Sequence, residues 1–260
     1  MAITRYRYDD PRANFPSFIK ALFALKTAPG PGDVGNLYDW YVQRHSYFAW
    51  NTHAHGANSF LPWHRRFLME FEADLRTHNP DKSVEVSIPY WDWYVDPMGA
   101  ELFTVDSFGP AVEPEENGKG FFDENVWPIN VGVVSGRRLT RRLNKMPELM
   151  KRSGANYTRY REALEINPHD EIHMAFKGQM MTAASPNDPT FWLHHAQLDK
   201  LWAEWQVMNG IDNYPERDGD NLGPGDIMKP FDVEVSSVFD IRHLTLSQPD
   251  DASVAYAAKL

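Results

Sequence analysis

The chain has 260 residues, of which 42% are hydrophobic and 13% aromatic, a composition that supplies a packed globular core. Its net charge of −10 argues against the phosphate backbone of a nucleic acid as the main partner. It contains no cysteine, which excludes disulfides, thiolate metal sites and cysteine nucleophiles. Imidazole and carboxylate are therefore the ligands that it offers a transition metal.

The sequence shows no pattern for insertion into a membrane. No run of 18 apolar residues occurs, so we expect no membrane-spanning helix. The first residues, MAITRYRYDDPRANF, lack the apolar stretch of a signal peptide. We therefore expect a protein that stays in the cytoplasm as encoded or is exported together with a partner.

Helical periodicity dominates the predicted elements. The predicted helices, in chain order, are residues 14–27, 35–50, 63–77, 137–151, 156–166 and 189–208. An extended aromatic segment, VEVSIPYWDWYVDP, follows the third helix, and residues 97–136 are rich in loops with a possible short strand at 126–136. A further strand is possible near 231–246. These elements predict a mainly α protein with long loops and a few short strands.

One predicted helix carries a histidine on its apolar face. His64 shares a stripe at helical spacing with Phe67, Leu68, Phe71 and Leu75, so its ring is expected to face the core. The neighbouring Arg65 and Arg66 lie away from that stripe, where we expect surface residues or salt bridges.

Two helices in the C-terminal half place further histidines toward the core. His169 and His173 are four residues apart, so both rings project from one face of a helix, a natural chelating arrangement. His195 shares its helix face with Leu198, Trp202 and Trp205. His194 lies about 100° away around the helix, which favours a supporting or packing role.

The N-terminal half offers an equal number of candidate ligands. His45 lies late in the second predicted helix, His55 in the loop after it and His64 at the start of the third, with His53 a competitor for the loop position. Two groups of three histidines with few carboxylates predict two adjacent metal ions in a helical bundle. All-imidazole ligation favours copper, zinc or nickel over magnesium or calcium.

Several motifs closely resemble the bacterial tyrosinases, which are type 3 copper proteins. These motifs are SFLPWHRRFL, IPYWDW, WPIN, GQM and SPNDPTFWLHHAQLDKLWAEWQ, and the resemblance covers residues 15–235. It implies a single domain over residues 1–260, with a four-helix bundle around two copper ions and without a separate lid domain. By the resemblance His45, His55 and His64 bind one copper ion and His169, His173 and His195 the other. The family spacing of nine residues before His64 favours His55 over His53.

The resemblance also implies a reaction and partners. In the family, two Cu(I) ions bind O2 side-on as peroxide, which hydroxylates monophenols to o-diphenols, and o-diphenols are oxidised to o-quinones. Small phenols are then the substrates, melanin biosynthesis is the process served, and a copper-delivering helper protein is a possible partner.

Other residues are assigned roles around this centre. Many tyrosinases carry Asn after the first ligand of the second copper, which with a Glu holds a water that deprotonates the phenol. Here Asp170 takes that position and Glu165 is the expected partner, so the two carboxylates are predicted to share a proton or to repel acidic substrates. Asp199 is expected to orient a histidine or to pair with a lysine. Phe191, Ala183 and Ala184 match places where family pockets open toward substrate, whereas His78 and His243 are expected on the surface.

Three alternatives to a tyrosinase activity follow from the same residues. A zinc metallopeptidase is suggested by HDEIH, but Asp stands where the general-base Glu of that motif belongs, and the other histidines are left unexplained. An oxygen carrier of the hemocyanin type would use the same copper pair. Catechol oxidase and o-aminophenol oxidase differ only in the ring substituents that they process, and Asp170 in place of Asn favours diphenol oxidation over monophenol hydroxylation.

Overall fold

The computed structural model describes residues 4–51, 53–99, 101–104, 107–108 and 152–240. Several expectations lie outside the described residues: the strand at 126–136, the WPIN motif, the helix at 137–151 and the surface position of His243. The single domain over residues 1–260 therefore stays a prediction. The described part is helical with few short strands, which confirms the predicted mainly α class.

Three helices in the N-terminal half match the predicted ones within three residues at each end. They are α1 (Phe15–Thr27), α2 (Leu37–Asn51) and α3 (Phe60–His78). Pro16 and Pro62 each lie in the first turn of a helix, where a backbone N–H has no intrahelical acceptor to lose. The apolar stripe of α3 is buried as predicted, and it carries His64 into the interior.

The C-terminal half contributes three more helices and one small sheet. They are α4 (Tyr157–Leu164), α5 (Asp170–Phe176) and α6 (Thr190–Asn209), with a π-helical turn over Glu165–His169 between α4 and α5. Strands β1 (Ile227–Met228) and β2 (Val233–Glu234) pair antiparallel. Most of the strand expected near 231–246 is therefore absent from the described residues, because a 3₁₀ helix over Val235–Val238 follows β2 directly.

The aromatic segment after α3 is extended but joins no sheet among the described residues. Within the described part of the chain it forms a parallel bridge between Tyr90 and Arg7, with the Tyr90 amide donating to the Tyr6 carbonyl at 2.9 Å. The Trp91 amide donates to the Leu193 carbonyl at 3.2 Å, which ties the segment to α6. The segment thus lies between the N-terminal residues and the helix that carries His194 and His195.

The core is built around α6, which is buried on nearly all sides. Trp192 of α6 stacks on Phe71 of α3 with ring centroids 3.5 Å apart and planes within 5°. Such offset or stacked aromatic contacts add to the hydrophobic free energy of burial. None of the helices in the described part of the chain is long and apolar enough to cross a membrane.

Buried ion pairs link α3 and α6 and involve two residues that the sequence singled out, Arg65 and Asp199. Arg65 forms a salt bridge, one of its two expected roles, but it is fully buried: its Nε donates to Oδ1 of Asp199 at 2.5 Å. Oδ2 of Asp199 accepts from Nη1 of Arg5 at 2.8 Å, so this carboxylate pairs with two arginines, and a contact with a histidine or a lysine stays a prediction. Arg66 is partly buried and pairs with Glu70 within its own helix. His78 is half-buried at the end of α3.

Candidate metal centre

Seven histidines form two compact groups between the helices. The first histidine group consists of His45 on α2, His55 on the following loop and His64 on α3. The second histidine group consists of His169, His173, His194 and His195. Within each group, one ligand nitrogen per residue lies within 4.8 Å of the others. The geometry thus brings together all six predicted ligands and adds His194.

The two groups face each other across a short distance. The rings of His64 and His195 stack with centroids 4.3 Å apart and 13° between their planes. His55 and His169 also approach, at 5.8 Å between ring centroids. Phe191 is fully buried between the groups, with its centroid 4.1 Å from that of His195 and 5.0 Å from that of His45. The arrangement suits two neighbouring metal ions and not two independent sites.

Backbone carbonyls set the tautomer of five of these histidines. A carbonyl oxygen only accepts, so an imidazole nitrogen facing it must carry the proton and leaves the lone pair on the other nitrogen. The Nδ1 atoms and their acceptors are His45 to Ala183 (2.7 Å), His55 to Ala49 (3.1 Å), His64 to Phe60 (2.9 Å), His169 to Glu165 (3.2 Å) and His173 to Met180 (2.6 Å). Each of the five therefore offers the Nε2 lone pair to a metal ion.

The unpaired nitrogens fit metal ligation. The Nε2 atoms of His45, His64 and His169 are buried and have no hydrogen-bond partner among the described residues. Leaving a buried polar atom unpaired costs free energy, so a ligand from outside the chain is expected there. Nε2 of His173 lies 3.4 Å from Nε2 of His195, so these two ligand nitrogens are close enough to bind the same metal ion. The donor set of neutral imidazoles suits copper.

Burial keeps these imidazoles neutral. It lowers the pKa of His45, His64, His169, His173 and His195 well below 6.5, and charge repulsion among the neighbouring rings lowers the pKa of each further. The pKa of His55 is lowered by burial as well. Since a metal ion binds the unprotonated ring, the apoprotein is prepared for metal binding at neutral pH.

His194 differs from the other members of its group. Its Nδ1 accepts a hydrogen bond from Nε1 of Trp93 at 3.1 Å, whereas Nδ1 of His169 and of His173 faces a carbonyl. The sequence spacing separated His194 from the three ligand candidates but could not show this contact, because Trp93 lies 101 residues away along the chain.

The two predicted catalytic carboxylates have different surroundings. Glu165 is buried, and its carboxylate accepts from the Gly56 amide at 2.7 Å and from Nη1 of Arg161 at 2.8 Å. It thereby joins the loop that carries His55 to the turn that carries His169. Asp170 is half-exposed; its Oδ1 faces Nδ1 of His169 at 2.9 Å, and burial raises its pKa. A shared proton between the two carboxylates stays a prediction.

Residues at the solvent side include the predicted pocket residues Ala183 and Ala184, and also Trp50, which the sequence did not single out. Ala183 and Ala184 are partly exposed, and the Ala183 carbonyl accepts from Nδ1 of His45 and from Ser46. The ring of Trp50 stacks on His55 at 5.6 Å with 27° between planes, although 75% of Trp50 is exposed. An exposed Trp five residues before His55 gives no periodic signal, so only the folded loop reveals its contact.

A comparison with protein families matches residues 35–208 to the common central domain of tyrosinase. The matched segment contains all seven histidines of the two groups. The tyrosinase of Streptomyces glaucescens is 35% identical over 248 residues, covering 82% of this chain and 86% of that protein. The tyrosinase of Streptomyces antibioticus is 33% identical over 267 residues, covering 88% and 93%.

Solved structures of the same fold include a tyrosinase and a hemocyanin. The tyrosinase of Burkholderia thailandensis at low pH aligns with a TM-score of 0.63 and 15% identity, covering 97% of this chain and 76% of that one. A functional unit of octopus hemocyanin aligns with a TM-score of 0.60 and 19% identity, covering 100% and 66%. These structures show the fold alone, whereas the matched domain and the Streptomyces relatives show the family. The chain belongs to the tyrosinase family and is a type 3 dicopper oxidase.

Proposed function

We propose that the chain oxidises small phenols with O2 at two copper ions, one held by His45, His55 and His64 and the other by His169, His173 and His195. The observation that carries this proposal is the set of buried Nε2 lone pairs, turned toward one another by carbonyls bound at Nδ1. When bound, the copper pair supplies the oxygen binding and electron transfer that no side chain of this protein provides.

The protein's own residues position the copper ligands and exclude water from the space between them. Phe191 fills the space between the histidine groups and excludes water from their shared face. Glu165 holds the His55 loop against the turn that precedes α5. Asp170 is the carboxylate at the solvent edge, where its charge acts on both His55 and His173. We infer that Asp170 accepts the phenol proton, the step that makes the ring nucleophilic.

The activity includes both monophenol hydroxylation and diphenol oxidation in this proposal. The names of the Streptomyces relatives support it, since both are tyrosinases. A catechol oxidase-like enzyme is the second candidate, because Asp170 stands where many tyrosinases carry Asn. The metallopeptidase alternative loses its basis, since His169 and His173 share their site with two further histidines.

Oxygen uptake by the copper-loaded protein tests the function. A para-substituted monophenol and the matching catechol are run side by side, with copper-free protein as the control. We expect uptake with both. Uptake with the catechol alone would favour the second candidate, and no uptake with either, with two copper ions bound, would contradict both.

We also propose that a helper protein delivers the copper. The support is the burial of four of the six ligand histidines, His45, His64, His169 and His195, which limits the access of a free ion to their nitrogens. The test is the loading rate of the purified chain with copper salt alone. Incomplete loading over hours is expected, and full loading within the mixing time would contradict a need for a helper.

A further inference from the structure

The second histidine group holds one imidazole more than a reactive copper ion requires. A metal ion that reacts with substrate keeps a coordination position open, whereas four protein ligands close the site. His194 is buried, and one of its ring nitrogens lies within 4.8 Å of the ligand nitrogens of His169, His173 and His195. Some feature of the fold must therefore keep His194 from becoming a fourth ligand.

The hydrogen bond from Trp93 supplies that feature. An indole N–H donates and never accepts, so Nδ1 of His194 uses its lone pair on Trp93 at 3.1 Å. In the neutral ring the proton then lies on Nε2. Both nitrogens are closed to a metal ion, since Nδ1 is occupied by the indole proton and Nε2 carries its own.

The other described contact of the His194 ring is compatible with this tautomer. Nε2 has no partner of good hydrogen-bond geometry among the described residues, but the backbone carbonyl of His169 also interacts with the ring, and a carbonyl only accepts. In the same group, Nδ1 of His169 and of His173 donates to a carbonyl and leaves Nε2 free, the opposite arrangement. Trp93 itself is fully buried and its ring packs on Tyr94 at 4.7 Å.

We propose that Trp93 is a positioning residue that holds His194 in a non-coordinating tautomer and so keeps one position of the second copper ion open. The inference rests on the proposed function for its consequence, but the tautomer is a property of the protein alone. Removing the indole N–H frees Nδ1 to take the proton, and Nε2 then becomes a ligand.

Nuclear magnetic resonance of protein labelled with ¹⁵N-histidine tests the tautomer directly. In the copper-free protein we expect Nδ1 of His194 to be unprotonated and Nε2 protonated. After anaerobic loading with Cu(I), which is diamagnetic, His194 should keep that pattern while the six other histidines show a metal-bound nitrogen. A proton on Nδ1 of His194, or a metal-bound His194, in the unaltered protein overturns the proposal.

Trp93→Phe removes the donor and keeps a buried aromatic ring. We expect His194 to become metal-bound with Cu(I), and kcat toward a catechol to fall by about 10–100-fold. Trp91→Phe is the matched control, since Trp91 is equally buried and its Nε1 donates to the Asp96 carbonyl and not to a histidine. A Trp93→Phe protein whose His194 stays free of Cu(I) contradicts the proposal.

A second variant covers the case in which Trp93→Phe fails to fold. His194→Gln retains an oxygen that accepts from Trp93 but has no imidazole. We expect it to bind two copper ions, as the unaltered protein does, and loss of one copper ion would show that His194 is a ligand. If the unaltered copper-loaded protein oxidises no phenol while its tautomer and Cu(I) spectra are as expected, the proposed function fails and this inference stands.

Discussion

The imidazole of His64 lies flat against that of His195, with ring centroids 4.3 Å apart and 13° between the planes. The next residue along α3, Arg65, is joined by a buried ion pair to Asp199, one turn beyond His195 on α6. The same pair of helices therefore carries both the contact between the histidine groups and the ion pair beside it. Correct packing of α3 on α6 is a condition for a two-copper site.

Replacing a proposed ligand should remove one copper ion. For His64→Ala and for His195→Ala we expect one bound copper ion per chain and loss of catechol oxidation, because two imidazoles hold copper much less well than three. His78→Ala is the control, since His78 lies on α3 but outside both groups. Copper content by atomic absorption, with the helical content by circular dichroism, checks this. Two retained copper ions in either variant would contradict the assignment of that histidine as a copper ligand.

His55 lies on a loop and not on a helix. We therefore expect its contact with Trp50 to stabilise the first copper site. Trp50→Ala removes the ring that stacks on His55 at 5.6 Å, so we expect about 10–100-fold weaker copper binding. Tyr47→Ala is the control, because Tyr47 is 65% exposed and its ring packs on Phe48 at 4.8 Å. Competition with a chelator measures the affinity, and equal affinities in the two variants would speak against this role.

Asp170→Asn tests the carboxylate at the solvent edge. Because Asp170 is the proposed acceptor of the phenol proton and an amide is no base, we expect the ratio of monophenol to diphenol activity to fall. Glu162→Gln is the matched control, since its side chain is 54% exposed and pairs with Arg161. An unchanged ratio in Asp170→Asn, measured by oxygen uptake, counts against a direct role of this carboxylate.

The buried ion pairs should matter far more for stability than the exposed ones. In Asp199→Asn both Arg5 and Arg65 lose a charged partner, so we expect the free energy of unfolding to fall by about 3–5 kcal/mol. Lys229→Met breaks the exposed pair with Asp232 and should cost about 0–1 kcal/mol. Urea denaturation of the copper-free proteins gives both values, and similar losses in the two variants would refute the distinction.

The stability of the copper-free protein should fall as the pH drops from 6.5 to 5. Burial lowers the pKa of all seven histidines of the two groups, so the unfolded chain binds more protons than the folded one in this range. Each neutral histidine contributes up to about 1.4 kcal/mol per pH unit below its unfolded pKa. His195→Asn should reduce the slope by about that amount. A free energy of unfolding that stays constant over this range would contradict the prediction.

The local residue pattern alone determined much of this protein. Helical periodicity predicted α1, α2, α3 and α6, because an apolar stripe at a spacing of 3.6 residues is stable when it is buried against the core. The same periodicity turned His64, His169, His173 and His195 inward, and the motifs around them identified the family. These features depend on neighbours within a few turns of helix, which a sequence displays directly.

Only the tertiary structure decided how the histidines are held. The Ala183 carbonyl at His45, the Trp93 indole at His194 and the Arg65–Asp199 pair each join residues more than 100 positions apart. Arg65 was expected away from the core stripe, yet it is buried because Asp199 supplies the opposite charge from another helix. Tautomers and buried charges depend on which groups come into contact after folding, and the periodicity of a sequence does not show contacts between distant residues.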